Sequence, residues 1–307
     1  MQISTSYLFD RASKQMVSIQ NDLAKSQQEI AAQKQVLNPS DAPNQAASIT
    51  RFKSVIARQD TYTNALGQVQ ARLDTESANL TTASDVLVRI KELAIQASNG
   101  TQGTVSRKAI STEMKGLRNQ LLSLANSTDA SGNYIFSGSK VTTKAFTQDS
   151  KGHIEYTGDQ TRMHVAVGEQ RTLPLNRPGT NAFVRVVRTN PDNSEQGVGF
   201  FTAVDDLIDG VDNGITSKMQ RGLTEMNALH TGVVMAQAEV GTDMKVVEQQ
   251  GAVVDDTKLS LKVALSNVED LDMTTAVTNM QKLMLSLEAA QSTFAKTSQM
   301  SLFKYLG

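Results

Sequence analysis

The 307 residues contain no cysteine and no tryptophan. Without cysteine there are no disulfides, thiolate zinc sites or cysteine nucleophiles. Aromatic residues make up only 5% of the chain. So few large side chains imply a thin core, as in long helical rods, rather than a thick globular one. Neither sign of charge is in excess: 30 basic residues stand against 31 acidic ones, for a formal net charge of -1. That balance argues against a mainly electrostatic partner such as nucleic acid. No apolar run approaches the roughly 18 residues of a membrane span. The first residues, Met1-Gln2-Ile3-Ser4, lack the basic and apolar regions of a cleavable signal peptide. Composition alone therefore places the protein in the cytoplasm.

Proline and glycine are scarce and unevenly placed. The five prolines are Pro39, Pro43, Pro174, Pro178 and Pro191, and Gly67 is the only glycine before Gly100. Long proline-free stretches permit long helices, because proline costs about 3 kcal/mol inside one. Periodicity supplies the positive signal. Phe9, Ala12, Met16, Ile19, Leu23, Ser26, Ile30, Gln33 and Leu37 alternate in steps of three and four. This is the pattern of a coiled-coil seam, too narrow for a globular helix face. Asn38-Pro39-Ser40-Asp41-Ala42-Pro43 breaks it, and Ser40 or Asp41 is placed to cap a new helix.

The second helix is expected over 45–98, with Tyr62, Leu66, Val69, Leu73, Glu76, Leu80, Ala83, Leu87, Ile90, Ala94 and Ala97 on its seam. Asn99-Gly100 signals its end. A third helix over 105–126 carries Ile110, Met114, Leu117, Leu121 and Leu124 on one face. From 131 to 201 the texture changes, and seven of the fourteen aromatics fall there. Short alternating runs at 153–156, 162–167 and 183–187, bounded by glycine and proline, read as antiparallel strands. Beyond them lie a short helix at 202–209 and an unbroken three-four alternation from Met219 to Val268. A last helix carries Met273, Ala276, Met280, Leu283, Leu287, Ala290 and Phe294. The fold class is thus mainly α with a small β insertion. Long coiled-coil helices from both termini form a rod, with the antiparallel β domain at its distal end.

Nothing in the chain spells catalysis. His153, His164 and His230 have no ligand spacing. There is no nucleophile elbow, phosphate-binding loop or dinucleotide fingerprint. Glu269-Asp270-Leu271-Asp272 lacks the alternating ligands and turn glycine of a calcium loop. It reads as an acidic helix start, favoured by the helix dipole. Ser26, Gln33 and Gln237 are polar seam positions that can set register. Asn126-Ser127-Thr128 fits a glycosylation acceptor, a common pattern.

Several stretches resemble the flagellin family across nearly the whole chain. Arg89-Ile90-Lys91-Glu92-Leu93-Ala94-Ile95-Gln96-Ala97-Ser98-Asn99-Gly100-Thr101 is similar to that family's long-helix ending. The turn at Asn38 to Pro43 occupies the place of its inter-helix turn. Gly132-Asn133-Tyr134-Ile135-Phe136-Ser137-Gly138 resembles the signature of the family's hook–filament junction branch rather than of its filament subunits. So do Asn176-Arg177-Pro178-Gly179 with Phe183, Ala238-Glu239-Val240-Gly241-Thr242, Glu269-Asp270-Leu271-Asp272 and the closing Ser301-Leu302-Phe303-Lys304-Tyr305-Leu306. Gly132, Tyr134, Phe136, Gly138, Gly241 and Asp270 carry the signature. Thr242-Asp243 departs from it, since the family pattern has Ala-Arg there.

The resemblance implies a secreted, extracellular structural subunit with no enzymatic activity and no cofactor or metal. It implies an inner coiled-coil layer from 1–40 and 256–307, shell helices from 41–130 and 202–255, and an outward β domain at 131–201. Phe9, Met16, Ile19, Leu23 and Ile30 would form the assembly interface with Met280, Leu283, Leu287, Phe294, Leu302 and Phe303. The partners it implies are further copies of the chain, hook-associated protein 1, flagellin, an export chaperone and the type III export apparatus. A bulk filament subunit, a helical stalk or adhesin, and an enzyme housed in the β domain remain as alternatives.

Overall fold

Proline sets the start of the second helix. In the computed structural model, which describes residues 5–99, 102–150, 152–189 and 195–306, α1 (Thr5–Ala32) is followed by α2 (Pro43–Ala97). Pro43 occupies the first helical position, where its missing N–H would have no partner anyway. The Ala46 amide donates to the Ala42 carbonyl at 2.9 Å. Ala42 therefore starts the helix, and neither Ser40 nor Asp41 caps it. Asp41 instead closes a turn onto the Asn38 carbonyl.

The end of α1 corrects the sequence reading. The helix stops at Ala32, not at Leu37. The Lys34 amide reaches back to the Glu29 carbonyl at 3.1 Å, and the Gln33 amide to Ile30 at 3.3 Å. Gln33 is in the left-handed region at φ 56°. These are the two bonds of a Schellman stop, a site usually held by glycine. The released strand then pairs with a segment more than 200 residues later. Gln35 donates from its amide to the Glu269 carbonyl, and the Leu271 amide donates to the Gln33 carbonyl. Gln33 and Leu37 continue the three-four spacing without being helical.

The chain continues through α3 (Thr104–Ala125), β1 (Phe146–Gln148), β2 (Ile154–Tyr156), β3 (His164–Ala166), β4 (Thr172–Pro174), α4 (Gly179–Ala182), β5 (Val186–Thr189) and β6 (Glu195–Val198). It returns through α5 (Phe200–Asn213), α6 (Thr216–Glu269) and α7 (Met273–Leu306). The structure is mainly helical, with a small antiparallel β insertion. Among the described residues the strands form three separate two-stranded sheets, β1–β2, β3–β4 and β5–β6. The strand expected from Phe183 begins only at Val186. Phe183 instead ends α4 and packs edge-on against Phe136, Phe146 and Phe200, with ring centroids 5.1–5.5 Å apart. Edge-to-face rings each add roughly 0.5–1.5 kcal/mol beyond burial.

Two compact units divide the chain. One comprises Met1–Gln59 with Asp256–Gly307, and the other Asp60–Asp255. In the second unit the expected seam of α2 is buried: Leu66, Val69, Leu73, Leu80, Leu87 and Ile90 all lie in one core. Met114 and Leu121 of α3, Val204 and Leu207 of α5, and Met226, Val233 and Val240 of α6 complete it. Each fully buried aliphatic side chain stabilises the fold by about 1.5–3 kcal/mol.

The acidic run at Glu269 also differs from expectation. Glu269 is the last residue of α6, and only Asp272 stands at a helix start. Its Oδ1 accepts the amides of Thr274 and Thr275 at 3.0 and 3.2 Å. The Thr275 hydroxyl foremost, with those amides, holds the Asp272 carboxyl below the usual range.

The left-handed Gln33 generates a prediction. Gln33→Gly should stabilise the unit containing α1 by about 1 kcal/mol, since glycine meets no penalty there. Gln33→Val should destabilise it. Urea unfolding of the two variants, followed by helical circular dichroism, checks both signs.

Candidate assembly interface

Two helices packed side by side can bury only the line along which they touch. In the unit built from the chain termini, α1 packs along α7. Phe9 meets Phe294 edge-on, with centroids 5.4 Å apart. Met16, Ile19, Leu23 and Ile30 of α1, and Met280, Leu283 and Leu287 of α7, are all half-buried, as are both phenylalanines. Among the described residues of α1, Ser26 alone is buried, and in α7 only Ala276. In the other unit, Leu80 and Ile90 are 0% exposed at equivalent seam positions. The structure thus brings the expected terminal residues into one seam and leaves that seam unfilled. The side chains of Leu302 and Phe303 lie outside the described residues.

The unfilled space is measurable. A groove of about 580 Å³ runs between the helices, lined by Phe9, Ala12, Ile19, Ala290 and Phe294 among others. A second, of about 340 Å³, is bordered by Leu23, Met284, Leu285 and Leu287. Met284 and Leu285 are exposed, and so are Tyr7 and Val17 on α1. Reasoning from a single seam missed these four, because they fall off the three-four line. A second apolar face on α7 was visible only as the run Leu283-Met284-Leu285.

A polar clasp closes one end of this seam. Glu269 is nearly buried and accepts Lys34 Nζ at 2.6 Å and Lys53 Nζ at 2.8 Å. Gln35 Nε2 donates to the Val268 carbonyl at 2.8 Å. The two lysines, Lys34 foremost, hold the Glu269 carboxyl below its ordinary value. Nothing in local sequence spacing pointed to Lys34 and Lys53 as its partners.

The signature residues have local structural roles. Gly132 is left-handed at φ 81°, in a turn whose Asp129 carboxylate accepts the amides of Ser131 and Asn133. Tyr134 is half-buried, and its carbonyl accepts from the Ser137 hydroxyl. Phe136 is fully buried against Phe183. Gly138 is left-handed at φ 70°, and a Cβ there would overlap Asp159. Asp270 is exposed and accepts from the Ser266 hydroxyl. Gly241 is exposed on α6 with open space beside it.

The remaining polar candidates are locally satisfied. His230 Nε2 lies 3.1 Å from the Ser84 hydroxyl, and His153 Nδ1 lies 3.5 Å from Asp149. His164 is exposed on β3. Gln237 donates to Thr81 Oγ1. The Asn126 amide bonds both the N–H and the C=O of Phe146, so that side chain is a structural tie. Among the described residues, no group of three His, Asp or Glu side chains is gathered as a metal site.

Two family models match the chain. One, bacterial flagellin N-terminal helical region, covers residues 3–141; the other, bacterial flagellin C-terminal helical region, covers residues 223–306. The chain is 26% identical to flagellar hook-associated protein 3 of Salmonella typhimurium, over 99% of each. It is 22% identical to a flagellin of Listeria monocytogenes, over 97% of this chain and 96% of that one. Among solved structures, a flagellar hook-associated protein 3 from Legionella pneumophila has the same fold. It superposes with a TM-score of 0.66 at 18% identity, covering 72% of this chain and 98% of that one.

The unfilled seam and the clasp each have a measurable consequence. Phe294→Ala removes a half-buried ring and should cost the free chain clearly less than Leu80→Ala, which opens a cavity worth about 2–5 kcal/mol. Equilibrium urea unfolding compares the two. Glu269 contributes stability that is fully present above the unfolded carboxylate pKa of roughly 4.3 and is lost as pH falls through its depressed folded value. Glu269→Gln should therefore flatten the acid limb of a Tm-versus-pH curve.

Proposed function

The chain belongs to the flagellin family, on its hook-associated protein 3 branch, and from that premise we propose how it serves as the structural subunit joining hook to filament. It works outside the cell, in the flagellum, and catalyses no reaction. It assembles as a homo-oligomer through its terminal helices, between the hook side, hook-associated protein 1, and flagellin. The observation that carries the reading is the contrast between the two seams. The α2 seam is buried within one chain, whereas the α1–α7 seam is left half-open.

A half-buried aliphatic side chain contributes roughly 1 kcal/mol. Ordering its residue costs about 1–2 kcal/mol. The terminal pair therefore gains most of its stability when neighbouring copies fill the grooves. Phe9, Met16, Ile19, Leu23, Ile30, Met280, Leu283, Leu287 and Phe294 are the side chains assigned to that contact, with Leu302 and Phe303 extending it. In the assembled layer, 1–40 and 256–307 form the inner wall, 41–130 and 202–255 the shell around it, and 131–201 faces outward. The same exposed apolar helices suit capture by an export chaperone before passage through the type III apparatus. No described helix is long and apolar enough to cross a membrane.

Immunogold electron microscopy of detached flagella, with antibody against residues 131–201, tests the position. Gold should form a short band where hook meets filament. Gold along the whole filament would mean a bulk filament subunit instead. A chain truncated before Phe294 should keep its β insertion folded yet fail to enter flagella. Normal flagella built from it would remove the role given to the terminal seam.

A further inference from the structure

The β3–β4 hairpin has little apolar surface with which to hold its place. Within it only Val167 and Leu173 are buried. Two-stranded hairpins are marginal on their own, and apolar contact is non-directional. Directional bonds fix this one. At its turn, Gln250 Nε2 of α6 donates to the Val167 carbonyl at 3.0 Å. Past its last strand, Asn176 ties the chain to itself, accepting the Met163 amide and donating to the Thr161 carbonyl.

Arg177 comes next, and its guanidinium spans two helices. Nε donates to Glu76 Oε1 of α2 at 2.7 Å, and Nη2 to Asp243 Oδ2 of α6 at 2.9 Å. Nη1 donates to Glu239 of α6. Arg177 and Glu76 are 5% and 3% exposed at the side chain, whereas Glu239 and Asp243 reach solvent. One turn before Glu76, Arg72 donates to Asp129 and to the carbonyl of Ile135 at 3.0 Å. Burial pushes the Glu76 carboxyl above its ordinary value, against the pull of Arg177 and Arg72. Asp243 is one of the two residues, with Thr242, that depart from the flagellin-like pattern, and an arginine at 243 would face Arg177.

A buried ion pair gives back in attraction about what it loses in desolvation, so an apolar pair of similar size is often as stable. What the fork supplies is geometry: its donors are fixed in a plane, and three carboxylates on two helices meet them in one placement only. We propose that Arg177 is a positioning pin, which selects a single seat for the β3–β4 hairpin across α2 and α6 and adds little to stability.

The absence of cysteine makes the test direct. Gln170→Cys on the hairpin and Gln68→Cys on α2, both exposed, give two unique spin-label sites in the full chain. The parent should show one narrow inter-label distance. The double variant Arg177→Met/Glu76→Met should keep a Tm at or above the parent's while its distance distribution broadens. Arg177→Met alone, which leaves Glu76 buried without its fork, should lower Tm. A narrow distribution in the double variant would overturn the proposal. So would a double variant that loses as much Tm as the single one, since the cluster would then be a stabiliser and not a pin.

Discussion

A pair of helices offers each seam side chain neighbours on one flank only, and this constraint governs how the molecule is divided. Where α2 is joined by α3, α5 and α6, the same three-four spacing is closed from several sides, and Leu80, Leu87 and Ile90 lose contact with water. Where α1 packs along α7, Phe9, Ile19 and Phe294 keep part of their surface exposed. The difference lies in the number of partners, not in the pattern. A subunit built this way carries one filled core and one seam left half-open, which agrees with the proposed coupling of its assembly to neighbouring copies.

Charged side chains do a second kind of work in the finished core. Each hairpin of the β insertion is tied to a helix by a polar side chain. Arg118 of α3 bonds the Gly152 carbonyl at the β1–β2 turn and Asp205 of α5. Gln250 and the Arg177 cluster hold β3–β4. Arg188 of β5 reaches Glu225 of α6 and Asp206 of α5, both at 2.7 Å. Three two-stranded sheets share no ladder, so they need such ties. The phenylalanine cluster buries Phe146 of β1 against Tyr156 of β2, and the guanidinium groups supply direction.

The long helices were legible because periodicity is local. Proline at 43, the glycine-rich end of α2 and the spacing from Met219 onward each act within a few residues of the bond they decide. The small aromatic-rich insertion was legible from composition for the same reason. The misreadings share a cause. Gln33 and Leu37 kept the helical spacing, yet the backbone there bonds to Glu269 and Leu271. Phe183 sat in an alternating run, yet its ring was claimed by the aromatic cluster. Glu269 sat in an acidic run, yet it ends one helix, and its carbonyl pairs with the Gln35 amide from far earlier in the chain.

By itself, the sequence determined the helix-rich class, the spacing of the terminal seams, the aromatic-rich insertion and the absence of thiol chemistry. All of these follow from spacing or from what one residue type allows. The tertiary structure decided which seam is filled, where α1 stops, and which carboxylates Arg177 and Lys34 find. Those outcomes rest on contacts between residues distant in the chain, and such contacts are set by packing that no local pattern encodes.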